Sequence, residues 1–144
     1  MKPWHIGILS HDARKTVDFL CASPGADKSA WTFMELEFPP SEMVVGGGGK
    51  LFVAIGELAG MTYEVLQPMD DNSYHAKILA ERGPGPHHTA YVCEDNQDEI
   101  VAALISGGAR IVWEAVHGSQ HVYYLESSTS DMVIEIINKL PPSN

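Results

Sequence analysis

The chain has 144 residues, 44% of them hydrophobic, and its 19 acidic against 9 basic side chains give a formal net charge of -10. This is about one domain's length with enough apolar content for a packed core, and so acidic a chain excludes nucleic acid and anionic membrane as partners, because both need a basic patch. No run approaches the roughly 18 apolar residues of a membrane helix and no signal-peptide pattern leads the sequence, so a cytoplasmic protein that binds a small molecule is expected.

In chain order, the apolar run 5–9 ends at Ser10-His11-Asp12 and predicts a strand. Asp12 as N-cap, with Val17 and Leu20 on one stripe, then predicts a helix. Residues 31–38 are rich in β formers and predict a strand that Pro39-Pro40 stops. The run Gly46-Gly47-Gly48-Gly49 lacks the Lys-Ser/Thr ending of a phosphate loop and precedes a strand, so it reads as a flexible turn. Strands over 51–55 and 61–66, joined by a hairpin-like connection, complete a β-α-β-β-β unit.

A turn-rich linker over 67–72 leads to a short helix capped by Ser73, carrying Ile78 and Leu79 and ended by Gly83. Gly83-Pro84-Gly85-Pro86 is then a rigid lead into a strand that opens with His87 and His88 and runs to Cys93. Asn96 and Glu99 make a capping-box-like start to a helix striped by Ile100, Val101, Leu104 and Ile105. Strands over 110–113, 121–125 and 132–137 follow, so the second half is again β-α-β-β-β. The expected fold is therefore α+β: one domain over 1–144, with two βαβββ modules at about 1–68 and 84–140. Such modules set side by side curl into a half-barrel mixed sheet around a shared metal-binding cleft.

Four residues occupy matched places in the two units. His5 opens the first strand of unit one and Glu64 lies in its last; His88 and Glu135 hold the same places in unit two. A lone carboxylate inside Met132-Val133-Ile134-Glu135-Ile136-Ile137 is costly to bury unless a cation or a wet cavity accompanies it. Strand alternation puts His87 and His88 on opposite faces, so only one of them is expected to face the cleft. His11, His75, His117 and His121 lie in or beside loops and are expected to be solvated, with His117 and His121 able to flank the mouth. Two imidazoles and two carboxylates suit one divalent transition metal, whether zinc, cobalt, nickel, manganese or ferrous iron, and suit calcium poorly. Cys21 and Cys93 have no metal-type spacing and are expected to be free thiols outside the mechanism.

The sequence resembles the vicinal oxygen chelate superfamily, which includes glyoxalase I, methylmalonyl-CoA epimerase, extradiol dioxygenases and bleomycin-resistance proteins. The local likeness is to methylmalonyl-CoA epimerases. It is carried by Glu64-Val65-Leu66-Gln67-Pro68, Asn72-Ser73, Ala76-Lys77-Ile78-Leu79-Ala80-Glu81-Arg82-Gly83, His87-His88-Thr89-Ala90 and Val133-Ile134-Glu135. The resemblance implies His5, Glu64, His88 and Glu135 as metal ligands, the second of the adjacent histidines being the ligand. Some epimerases of this kind carry a further glutamate in the strand before the second ligand, where Leu51-Phe52-Val53-Ala54-Ile55 has no carboxylate.

The resemblance thus implies an isomerase or lyase in which a metal stabilises an enolate while Glu135 or Glu64 moves a proton. The substrate would be an acyl-CoA or a glutathione adduct, with Lys50, Lys77 or Arg82 available to coenzyme A phosphates. The alternatives are a lactoylglutathione lyase-like enzyme, an extradiol dioxygenase using His5, His88 and Glu135 with ferrous iron, or a non-catalytic binding protein with Trp4, Trp31 or Trp113 lining an apolar cavity. A homodimer is expected, because sheet edges need cover.

Overall fold

The computed structural model describes residues 1–142. Its strands are β1 (Lys2–Leu9), β2 (Thr32–Glu37), β3 (Met43–Val45), β4 (Lys50–Leu58), β5 (Met61–Pro68), β6 (Gly85–Val92), β7 (Arg110–His117), β8 (Gln120–Glu126) and β9 (Val133–Ile137). Three helices, α1 (Ala13–Leu20), α2 (Tyr74–Arg82) and α3 (Gln97–Ser106), lie between them. The expected caps are made at two of the three. Asp12 accepts from the Lys15 amide at 3.0 Å and Ser73 from the Ala76 amide at 3.1 Å, whereas Asn96 holds the N-cap position of α3 without a side-chain bond.

The strands form one sheet in the order β2-β4-β5-β1-β6-β9-β8-β7-β3. β1 and β6 meet antiparallel at its middle, and each has a parallel partner from its own half, β5 and β9 respectively. Alternation along the strands separates the core into two faces. Val65 packs under α1 with Ala13 and Val17, and Ile136 packs under α3 with Val101 and Leu125. The opposite, concave face takes Leu66, Val133 and Ile137, and there α2 contributes Tyr74, Ile78 and Leu79. Because Glu64 alternates with Val65 and Glu135 with Ile136, both carboxylates share the concave face with α2. The mixed, curled α+β sheet expected from the sequence is the sheet observed.

Two segments depart from expectation. The short strand β3 leaves the first half and pairs with β7 through Met43↔Ala115 and Val45↔Glu114, adding an edge to the far end of the sheet. The glycine run behind it is a packed crossing and not a flexible turn. The Gly47 carbonyl accepts from the Tyr74 amide at 3.0 Å and from Trp113 Nε1 at 3.2 Å, and a side chain at Gly49 would meet the Asp70 carboxylate. Glycine is needed there because backbone passes directly against α2 and its lead-in. The hairpin between β4 and β5 is tight, turning on Ala59 (φ 51) and Gly60 (φ 83), the positive angles a two-residue turn requires.

Candidate metal centre

Each of the four candidate side chains comes from a different one of the four adjacent strands β5, β1, β6 and β9. The register is the same in both halves. Glu64 pairs with Gly7, two residues beyond His5, and Glu135 pairs with Ala90, two residues beyond His88. Each carboxylate therefore lies beside a small residue on the face its own histidine shares, leaving room for the functional groups to converge. Gly7 is also opposite His88 across the β1–β6 seam, and a Cβ there would come within 2.0 Å of the His88 ring. The imidazole lies directly over the bare Gly7 backbone.

Two irregularities in that seam aim the histidines. Pro3↔Tyr91 is followed by Ile6↔Thr89, so Trp4 and His5 together oppose one residue, Ala90. Gly7↔His88 is followed by Ile8↔Pro86, which leaves His87 as an extra residue on β6. Such bulges interrupt alternation and bring neighbouring side chains to one side. The Trp4 and His5 rings accordingly stand 4.3 Å apart, and those of His87 and His88 5.1 Å apart. The expectation that His87 lies on the face opposite His88 is thus corrected: both are buried together on the concave side.

The donor atoms of His5, Glu64, His88 and Glu135 all lie within 4.8 Å of one another. His5 Nε2 is 3.0 Å from His88 Nε2, and Glu135 Oε2 is 2.9 Å from His88 Nε2 and 3.2 Å from His5 Nε2. Glu64 Oε1 stands 3.5 Å from His5 Nε2 and 3.9 Å from His88 Nε2. Both imidazoles are fully withdrawn from solvent. Despite its two close neighbours, buried Glu135 Oε2 has no aligned hydrogen-bond donor, whereas His5 Nε2 and His88 Nε2 are aligned with each other. Atoms bound at about 2.1 Å to one ion stand about 3.0 Å apart at right angles and about 3.4 Å at the tetrahedral angle. The spacings among His5, His88 and Glu135, 2.9–3.2 Å, lie close to these values, Glu64 stands wider at 3.5 and 3.9 Å, and the mixed nitrogen and oxygen set suits a divalent transition metal.

The charges respond to crowding. Burial works against a charged His5, but the charge of Glu64 and the nearness of Glu135 outweigh it and hold the pKa up at about 9. Burial raises the Glu64 carboxyl above its usual range. Burial also opposes ionisation of Glu135, but His5 and His88 overcome it and hold that carboxyl well below its usual range.

Around this group lies a shell of rings that sequence reasoning missed. His75, expected to be solvated, is buried on α2 with Nε2 3.1 Å from Tyr124 Oη, and the Tyr124 ring packs 5.0 Å from that of His88. His87 Nε2 is 3.0 Å from Tyr74 Oη. The signal for Tyr74 and His75 was their place just inside the Ser73 cap, on a helix that had only one face of the sheet left to cover. His121 and His117 pair with Glu114 and Glu42, each at 2.7 Å. Of the tryptophans, Trp4 touches His5, whereas Trp31 and Trp113 are buried in separate core clusters. Arg82 is held by Glu126 at 2.9 Å and Asp131 at 3.6 Å. Cys21 and Cys93 are free thiols, half-buried and buried.

The profile of the Glyoxalase/Bleomycin resistance protein/Dioxygenase superfamily matches residues 4–125. The chain belongs to that superfamily. No curated protein gives a significant sequence match. Among solved structures similar to this chain, a hypothetical protein from Bacillus halodurans is 22% identical with a TM-score of 0.67, covering 99% of this chain and 97% of that one. A variant of Streptomyces coelicolor methylmalonyl-CoA epimerase, in complex with 2-nitronate-propionyl-CoA, is 24% identical at TM-score 0.60, covering 95% and 93%. Methylmalonyl-CoA epimerase from Mycobacterium tuberculosis is 18% identical at TM-score 0.62, covering 97% and 89%. At these identities the likeness is one of fold. Among the described residues no helix is long and apolar enough to cross a membrane.

Proposed function

We propose that this superfamily member is a metal-dependent isomerase or lyase of a small acyl thioester, most like a methylmalonyl-CoA epimerase, with His5, Glu64, His88 and Glu135 holding the ion. The observation that carries this reading is the convergence of four buried donors within 4.8 Å on the concave face. A divalent ion bound there supplies electrophilic stabilisation of negative charge developing on a substrate carbonyl oxygen. His5 and His88, both without exposed side-chain surface, exclude water from the inner side of the centre. The two glutamates are the carboxylates available for proton movement. β4 presents Leu51, Val53 and Ile55 to the concave core and supplies no third.

The epimerase in complex with 2-nitronate-propionyl-CoA makes a 2-substituted acyl-CoA the first substrate class to try. Glu64 as a fourth donor separates the centre from the two-histidine, one-carboxylate triad of an Fe(II) dioxygenase. We read the chain as one domain of two modules acting in the cytoplasm, where free Cys21 and Cys93 stay reduced. The test is deuterium wash-in at C2 of 2-methylmalonyl-CoA, followed by mass spectrometry, with His88→Ala as the blank. Exchange well above the blank is expected. No exchange with acyl thioesters or glutathione hemithioacetals, together with oxygen consumption on a catechol after Fe(II) addition, would replace this reading with the dioxygenase one.

A further inference from the structure

The two imidazoles of the centre are anchored differently. His5 Nδ1 is buried with no hydrogen-bond partner, and its ring is packed against Trp4. His88 Nδ1 lies 2.9 Å from His87 Nδ1, and His87 Nε2 lies 3.0 Å from Tyr74 Oη, so a continuous buried chain runs from the centre to α2. His75, the other imidazole packed nearby, is committed to Tyr124 Oη and takes no part in it.

Proton counting decides what this chain does. Only one proton fits between two Nδ1 atoms 2.9 Å apart. If His88 carries it, His88 Nε2 is a bare lone pair facing His5 and Glu135, the neutral His87 carries its own proton on Nε2, and Tyr74 Oη accepts that proton's hydrogen bond. If His87 carries it on Nδ1, the neutral His88 is protonated on Nε2 and cannot ligate. Ligating histidines generally donate their outer N–H to a carboxylate, a carbonyl or water, which fixes tautomer and ring orientation. Here an imidazole stands in that place, and it does so only because the bulge on β6 brings His87 to the same face as His88.

We propose that His87, backed by Tyr74, is the positioning residue of the centre: it accepts the Nδ1 proton of His88 and so holds the tautomer and ring plane that turn the Nε2 lone pair toward His5, Glu64 and Glu135. This rests on the reading of those four residues as a metal centre. His87 contributes no donor atom to the group of four, so its effect reaches the ion only through His88.

The test measures zinc affinity of the full-length protein by competition with a chromophoric chelator, for wild type, His87→Leu and His87→Asn. It also reads the histidine tautomers of the zinc-loaded wild type by long-range proton–nitrogen NMR. Leucine fills the space without an acceptor, whereas the asparagine Oδ1 stands where Nδ1 stood. His87→Leu is expected to weaken zinc binding by about 10- to 100-fold and His87→Asn to stay within about threefold of wild type. In the loaded wild type, His87 is expected to be protonated at Nε2 and bare at Nδ1. Equal zinc affinity in wild type and His87→Leu, or a proton on His87 Nδ1 in the loaded protein, overturns the inference and leaves the metal centre standing. Absence of zinc binding by the wild type removes the metal centre, and the inference with it. Should His87→Leu not fold, the wild-type tautomer alone decides.

Discussion

Replacing Gly7 by alanine adds a single methyl group and should disable the centre. Strand interiors ordinarily gain from such a change, because glycine loses more backbone entropy on folding, and Gly7 has no positive φ that alanine would resist. The sign is reversed by His88, whose ring occupies the space the new Cβ would need. To recover an ordinary carbon contact of about 3.5 Å, the ring has to retreat by about 1.5 Å. Metal sites tolerate ligand displacements of only about 0.2 Å, so His88 Nε2 is lost as a donor while the other three remain. Metal affinity should fall by about 100-fold or more, and crowding against the buried ring should cost about 1–3 kcal/mol of stability. Calorimetric zinc titration and urea unfolding of the metal-free protein measure the two effects separately. A Gly7→Ala protein with wild-type zinc affinity would refute the placement of His88 over Gly7, and with it the geometry of the centre.

Away from the centre, a Cβ at Gly56 would come within 2.1 Å of the ring of buried Trp31, so Gly56→Ala should destabilise by about 1–3 kcal/mol in urea unfolding while leaving zinc affinity unchanged. Glu126 binds Arg110 at 2.8 Å and Arg82 at 2.9 Å. Burial opposes its ionisation, but the two arginines outweigh this and hold its pKa below 4.5. Its contribution to stability should therefore be complete above the ordinary carboxylate range and be lost as pH falls through the depressed folded value. Urea midpoints of wild type and Glu126→Gln should accordingly differ at pH 7 and converge on strong acidification. Both ends of the sheet, β2 and β3, leave an unpaired strand edge within the chain; light scattering is expected to give twice the chain mass, and a monomer at micromolar concentration would contradict the dimer.

The centre was legible from the sequence to the extent that it obeys period two. Glu64 and Glu135 interrupt apolar strands at matched places in two repeated units, and His5 and His88 open the strands beside them, so alternation and repetition alone were enough to nominate the four. The capping of α1 by Asp12 and of α2 by Ser73 is local chemistry, and local sequence determined it. What tertiary structure decided is whatever depends on the strand next door. A bulge exists only relative to a partner, so nothing in His87-His88 by itself says that β1 will pair one residue short and bring both rings to one face. Gly7 reads as an ordinary strand glycine until β6 lays His88 across it. His75 looks solvated until α2 is pressed onto the concave face, and Met43–Val45 is too short to declare itself before β7 offers it an edge. Side-chain direction within a strand is set by its own backbone, but which side chains meet is set by register, and register is a property of two strands.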